Sequence, residues 1–362
     1  MGVVENATEE WRLLYVGTYT PDSEPPGEGE GVHRVRFDPE TGEFTDGGVA
    51  ARATGPSFLA LREAPPTLYA VNERARGTVI AFRIDGRSQL TELTQVPTGG
   101  GSPCHVATTG SELAVTNYAN GVVTVYELSE DGTIGRPTES THSGSGPVTE
   151  RQDGPHAHSV TAPDRHHLLV ADLGTDELRV LRAGEQIGTV TLPGGTGPRH
   201  MAVWGKYVYV AGELDSRVHV VRWDESTGTG EHLDSVHATG EEAAGKNFPA
   251  EILFHKGYVY MSNRGTDTIA TFVPRNEGAR LEHRANTPVG AWPRHFTVVR
   301  GHREEPDHLV AAAQNGDSLM SLLIDPDTGV PTDTGHRLKV PAPVCVLPVP
   351  LRRVRRAEAV TP

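Results

Sequence analysis

Cysteine is almost missing from this sequence: Cys104 and Cys345 are the only two in 362 residues. A disulfide-stapled scaffold is thereby excluded. No run of 18 apolar residues occurs, so nothing reads as a membrane-spanning helix. Positive charge is in deficit, with 33 Lys and Arg against 47 Asp and Glu and a formal charge of −14. That balance excludes nucleic acid and anionic membrane as principal partners. The opening MGVVENATEEW has neither a basic stretch nor an apolar core, so no secretory signal is expected and the expected location is cytoplasmic. The sequon at Asn6-Ala7-Thr8 then carries no meaning. Long helical periodicity is absent as well.

What is abundant is turn chemistry. The chain holds 41 Gly and 27 Pro, with short alternating apolar runs between them, which favours an all-β protein. One unit recurs: a proline that opens a strand, at 56, 103, 155, 198, 249, 293 and 343. The intervals, 43 to 52 residues, suit four strands each, the size of a propeller blade. A proline at the first strand position removes no ladder donor, so it is tolerated there. Second strands follow at 68–73 (LYAVNE), 113–118 (LAVTNY), 168–173 (LLVADL), 208–214 (VYVAGEL), 259–264 (VYMSNR) and 309–315 (LVAAAQN). The seventh stands at the beginning, 14–19 (LYVGTY), so its first strand must come from 343–347 at the other end. The reading is a seven-bladed β-propeller of four antiparallel strands per blade, residues 13–350, closed by its C-terminal strand pairing with the N-terminal blade. Residues 1–12 and 351–362, including LRRVRR, are expected to be flexible ends, and a closed ring is expected to be a monomer or weak homodimer. The two cysteines open inner strands that are not neighbours, so free thiols are expected.

In an antiparallel pair, the start of one strand and the end of the next share an edge. Ser57, Phe58, Glu73, Cys104, His105, Asn117, Tyr118, His156, His158, Asp172, Arg199, His200, Glu213, Glu251, Arg264, Arg294, His295, Gln314 and Cys345 therefore gather at one rim. Such a crowd of Arg, His and carboxylate on an acidic protein suggests a site for a small anion, because Arg offers paired donors matched to phosphate or carboxylate. The loops at 141–154 and 238–247 reach the same rim as covers. His156 and His158 are spaced for one strand face. No further motif supplies the remaining ligands, so no metal and no other cofactor is expected. The DPETG and DPDTG stretches at 38–42 and 325–329 read as tight turns.

With these residues placed, the chain resembles the propeller-type lactonase family, which includes bacterial 6-phosphogluconolactonases and fungal carboxymuconate cycloisomerases. The stretches that carry it are YVGTY at 15–19, LYAVNE at 68–73, SPCH at 102–105, GPHAH at 154–158, GPRH at 197–200, SNR at 262–264 and PVC at 343–345. The resemblance implies a catalytic group of His156, Arg199, Glu213 and Arg264. Gly212 departs from it, standing where an Asn commonly precedes the Glu. Around that group, His105, His158, His200, Arg294, His295, Glu73, Asp172 and Tyr118 are the candidate substrate-binding residues.

The expected reaction is hydrolysis of a small anionic sugar lactone, 6-phosphogluconolactone being the substrate the resemblance favours. Glu213 or His156 would take the proton from water and Arg199 would stabilise the oxyanion. Arg264 and Arg294, with His200 or His295, would hold the anionic group. A lactonising cycloisomerase uses the same constellation. A non-catalytic binding platform is the third reading, and it calls for exposed aromatic anchors rather than an ionic rim.

Overall fold

The computed structural model describes residues 11–302 and 305–350. Seven sheets of four antiparallel strands stand around a central axis, and the longest helical pieces among the described residues are two three-residue 3-10 turns. The expected all-β seven-bladed propeller is the observed fold. Counting from the N-terminus, blade 1 is built from Pro343–Val349, Arg12–Thr18, Val32–Phe37 and Phe44–Ala51, in that order from the axis outward. Its innermost strand is the last in the sequence, and pairs Val346 with Val16 and Leu347 with Tyr15. Arg12 already belongs to a strand, one residue before the repeat begins, and Trp11 lies under the Arg36 guanidinium; residues 1–10 and 351–362 lie outside those described.

Blades stack face to face, and this stacking decides which strands are apolar. Second strands have a neighbouring blade on each side. Thr67–Asn72, Tyr207–Gly212 and His308–Ala313 are accordingly buried at every position. Outer strands such as Arg280–Pro288 alternate between exposed and covered residues instead. Each of seven apolar clusters joins two successive blades, with blade 7 meeting blade 1 through Val310, Leu319, Val16 and Phe37. A fully buried Val, Leu or Phe contributes about 1.5–3 kcal/mol, so these seams rather than the single blades hold the ring.

Polar latches accompany the seams. Tyr15, Tyr69, Tyr209 and Tyr260 each donate their phenol to a backbone carbonyl of the next blade's outer turn, at Ser88, Gly132, Gly278 and Gly329. A buried phenol needs such an acceptor. Cys104 and Cys345 are both buried free thiols. Blade 1 runs close against blade 2 at Gly17, where an added Cβ would stand 2.1 Å from the Pro56 carbonyl oxygen. Gly17→Ala is therefore expected to lower unfolding stability by about 3 kcal/mol, read from urea midpoints.

Candidate active site

Two backbone devices build the rim. The first is a recurring hydrogen bond that pins the end of each second strand. The N–H of Glu73, Tyr118, Leu173, Glu213, Gln314 and Tyr19 donates to the carbonyl of the residue just before, or just after, the blade's proline: Gly55, Ser102, His156, Gly197, Trp292 and Ala342. Those side chains therefore occupy equivalent places around the axis. The second is a bulge one step into the inner strand. In blade 5, Pro198 pairs with Gly212 and Met201 with Val210, which leaves Arg199 and His200 facing Ala211 alone. Similar slips fall at Cys104, His158, Ala250–Glu251 and Arg294. A bulge suspends strict alternation and re-aims side chains. Arg199 and His200 are consecutive, yet both turn into the shared cluster.

Glu213 is the hub of the outer layer. Its Oε2 accepts from Arg264 Nη2 at 2.6 Å and lies 3.1 Å from Arg199 Nε; its Oε1 accepts from Arg151 Nη2 at 2.7 Å. Arg151 also donates to the Tyr118 hydroxyl at 3.2 Å, and the Tyr118 ring stacks on His156 at 4.7 Å. His156 Nδ1 sits 2.8 Å from the Tyr118 carbonyl, which can only accept. Nδ1 therefore carries a proton, and Nε2, 3.0 Å from the exposed Asp153 carboxylate, is open to other partners once that side chain turns aside. Arg199, Glu213, Arg264 and His156 are thus brought together, joined through Arg151 and Tyr118.

One residue further along the inner strands lies a histidine layer. His200 meets the rings of His105 and His158 edge-on, each at 5.3 Å, and Phe58 lies 4.1 Å from His105 and 5.5 Å from His295. Glu251 joins His200 at 2.8 Å and His295 at 3.4 Å. Two of these rings also brace the ring of blades. His105 Nδ1 accepts from Val160 N–H and His295 Nδ1 from Val346 N–H. The third sector holds Arg294 over the Tyr19 ring at 5.2 Å, with the Tyr19 hydroxyl 3.2 Å from both oxygens of Glu73.

Burial dominates the electrostatics. It pushes His105, His158 and His200 well below the usual histidine range and His295 down to about 4, the latter against the pull of Glu251. Burial together with the neighbouring charges of Arg264 and Arg294 lowers Arg199 to about 9. Glu73 and Glu251 are raised by burial. Glu213 is the exception. Burial works against its charge, but Arg264, Arg199 and Arg151 outweigh it and hold the carboxyl below the usual range. Arg199 Nη1, His158 Nδ1 and His200 Nε2 are buried without a hydrogen-bond partner among the described residues. Such orphaned buried groups call for partners, which an incoming ligand can supply.

Asp172 is placed differently from the expectation. It is fully buried, accepts from the backbone N–H of His156 at 2.7 Å and lies 3.7 Å from Arg179, bracing the blade rather than facing the cluster. Leu173 is the true counterpart of Glu213, so Asp172 falls on the opposite strand parity. It matches Asn72, Asn117 and Asn263. Gly212 takes that same bracing position in blade 5, where Asp215 and His219 fill the space a Cβ would claim. The departure at Gly212 therefore leaves Glu213 where it was expected. Arg264 is also committed beyond its expected role, donating to the Phe248 carbonyl at 3.1 Å as well as to Glu213.

Three contributors escaped the sequence reading. Tyr19 was recoverable, because it aligns with Glu73 and Glu213 at the end of a second strand. Arg151 and Asp153 sit on the long loop at 141–154, outside the repeated strands whose pattern marks the others. Among the described residues, no group of three or more His, Cys, Asp or Glu is arranged to hold a metal ion. A groove of about 940 Å³ opens elsewhere, lined by His166, Lys206, Arg222, Trp223 and Glu231 among others, and no residue of the cluster lines it.

Comparison with known proteins agrees with the fold. The chain is 31% identical over 350 residues to the 6-phosphogluconolactonase of Bacillus subtilis, covering 92% of this chain and 97% of that one. Among solved structures, the periplasmic gluconolactonase of Pseudomonas aeruginosa superposes with a TM-score of 0.85 at 27% identity, over 94% of this chain and all of that one. A protein from Lactobacillus plantarum does so with a TM-score of 0.85 at 28% identity, over 94% and 100%. The model of the lactonase family, described as a 7-bladed beta-propeller, matches residues 13–348. The chain belongs to that family.

Proposed function

We propose that this protein hydrolyses a small anionic lactone, with 6-phosphogluconolactone as the leading substrate. The observation that carries the reading is the convergence of Arg199, Glu213, Arg264 and His156 on one mouth, with Arg199 Nη1 buried and unpartnered. Four guanidiniums there, including Arg151 and Arg294, meet four carboxylates, Glu73, Glu213, Glu251 and the exposed Asp153, and burial pushes Glu73 and Glu251 toward their neutral forms. The surplus positive charge suits an anion.

In this mechanism His156 Nε2 takes a proton as water adds to the lactone carbonyl. The Tyr118 carbonyl holds the ring through Nδ1, and Asp153, whose side chain is 77% exposed, turns aside to leave Nε2 facing the water. Arg199 donates to the oxyanion. The ring C–O bond then breaks, and the departing oxygen recovers the proton from His156. Glu213 is unsuited to the base role, because three arginines hold it ionised and weakly basic. It instead fixes the guanidiniums in place. The neutral imidazoles of His158 and His200 present hydrogen-bonding atoms to the sugar hydroxyls.

The test is acid release from 6-phosphoglucono-δ-lactone in a pH-stat, corrected for spontaneous opening. Catalysed release is expected, and release no faster than spontaneous overturns the reading. Ultraviolet absorbance with a carboxylated muconate substrate reports the cycloisomerase alternative in the same experiment.

A further inference from the structure

Four guanidiniums reach the site, and their surroundings divide the labour among them. Arg264 is 6% exposed at its side chain, with its hydrogen bonds directed to Glu213 and to the Phe248 and Pro249 carbonyls. Arg199 is 2% exposed, pairs with Glu213 through Nε and leaves Nη1 unpartnered among the described residues. Arg294 lies over the Tyr19 ring, where Tyr19 and Glu73 balance its charge against the cost of burial. Arg151 differs from all three. Its side chain is 37% exposed, and it comes from a loop instead of a strand end.

That loop is built, not loose. Gln152 is fully buried and donates to the Leu173 carbonyl and to Asp176 Oδ1, both at 2.8 Å, while its Oε1 accepts from Val148 N–H at 2.9 Å. The residue beside Arg151 is therefore anchored, and the guanidinium is delivered to one place. Its bond to Glu213 is also expendable for that carboxylate. Oε2 of Glu213 already has Arg264 at 2.6 Å and Arg199 at 3.1 Å, so a departing Arg151 leaves Glu213 paired. The Tyr118 hydroxyl beside it adds a second polar group at the same spot.

We infer that Arg151 selects the charge of the substrate: it turns from Glu213 to grip the phosphate or carboxylate carried by the lactone, with the Tyr118 hydroxyl donating alongside. This rests on the lactonase reading proposed above. A charge-assisted, two-pronged contact distinguishes an anionic lactone from its neutral counterpart by about 10- to 100-fold.

The experiment compares wild type, Arg151→Met, Arg151→Lys and Arg294→Met, each first checked for an unchanged melting temperature. Kinetics are measured on 6-phosphoglucono-δ-lactone and on unphosphorylated glucono-δ-lactone. For Arg151→Met, the ratio of the two kcat/KM values is expected to fall 10- to 100-fold, chiefly through KM for the phosphorylated substrate, with partial recovery in Arg151→Lys. An unchanged ratio, an equal loss of kcat on both lactones, or a fall confined to Arg294→Met overturns the assignment. Calorimetric titration with inorganic phosphate separates this from the parent reading. If wild type hydrolyses neither lactone, the lactonase proposal fails. Arg151 as the anion grip then stands only if phosphate binds wild type at least 10-fold tighter than Arg151→Met, and falls if the two bind alike or if wild type binds none.

Discussion

Arg199→Met is expected to lower kcat for lactone hydrolysis by about 10²–10³-fold while leaving the protein at least as stable as before. The first half follows from position. Arg199 Nη1 is a buried donor with no protein partner among the described residues, in a desolvated cluster where a hydrogen bond to a developing oxyanion is worth most. The second half follows from the cost of keeping that charge. Burial, then Arg264 and Arg294, lower Arg199 to about 9 from an ordinary 12.5. Below pH 9 the group is protonated in both folded and unfolded chains, so the full electrostatic penalty of folding it persists at neutral pH. Methionine removes that penalty and keeps much of the packing volume. Replacing a poorly compensated buried cation with an apolar side chain is often neutral or stabilising. Single-turnover kinetics and a thermal melt decide both halves together. Near-normal kcat removes Arg199 from the mechanism, and a marked drop in melting temperature makes it a structural ion instead.

Acidification from pH 7 toward pH 4 is expected to destabilise the folded protein steeply. His105, His158, His200 and His295 are held neutral by burial, with folded values below the ordinary 6.5. Between 6.5 and the folded value the unfolded chain binds a proton that the native one refuses, so stability falls as pH falls. For His295, the interval from 6.5 to about 4 corresponds to about 3 kcal/mol. The other three add to it, as do His33, His255 and His308, which burial also lowers. Glu73, Glu251 and Asp172 work the other way, because burial raises them and their protonation favours the folded form in acid. Three opposing groups do not cancel seven. Urea midpoints at pH 7.5, 5.5 and 4.5 should decline throughout, and His295→Gln should flatten the decline by about one proton. A level profile would remove the neutral histidine layer from the account of stability.

The propeller was legible because its signal is repeated. Seven prolines at blade-length intervals, each followed by an apolar second strand, leave little freedom in the count. The missing first strand before Leu14 could be matched only by the surplus strand at Pro343. Strand-end logic also located Arg199, Glu213, Arg264 and His156. Where it failed, the failure was one of parity or of reach. Asp172 looks like a strand-end acid, yet the hydrogen bond that marks the true end belongs to Leu173, and one residue flips a side chain to the other face. The bulges at Arg199–His200 and Arg294 leave no trace in composition. The weak basicity of Glu213 was invisible too, since it depends on guanidiniums from residues 151, 199 and 264, drawn from a loop and two blades. Arg151 lies in a connection between blades, outside the strands whose repeated pattern can be compared.

The ring closes with the strand that comes last in the chain. During synthesis, a ribosome must deliver Pro343–Val349 before the sheet holding Leu14 and Val16 gains its inner edge. Nascent molecules therefore carry one unsealed blade and an open seam until that strand emerges, and the side-chain cluster shared by all seven blades takes shape only once it has docked.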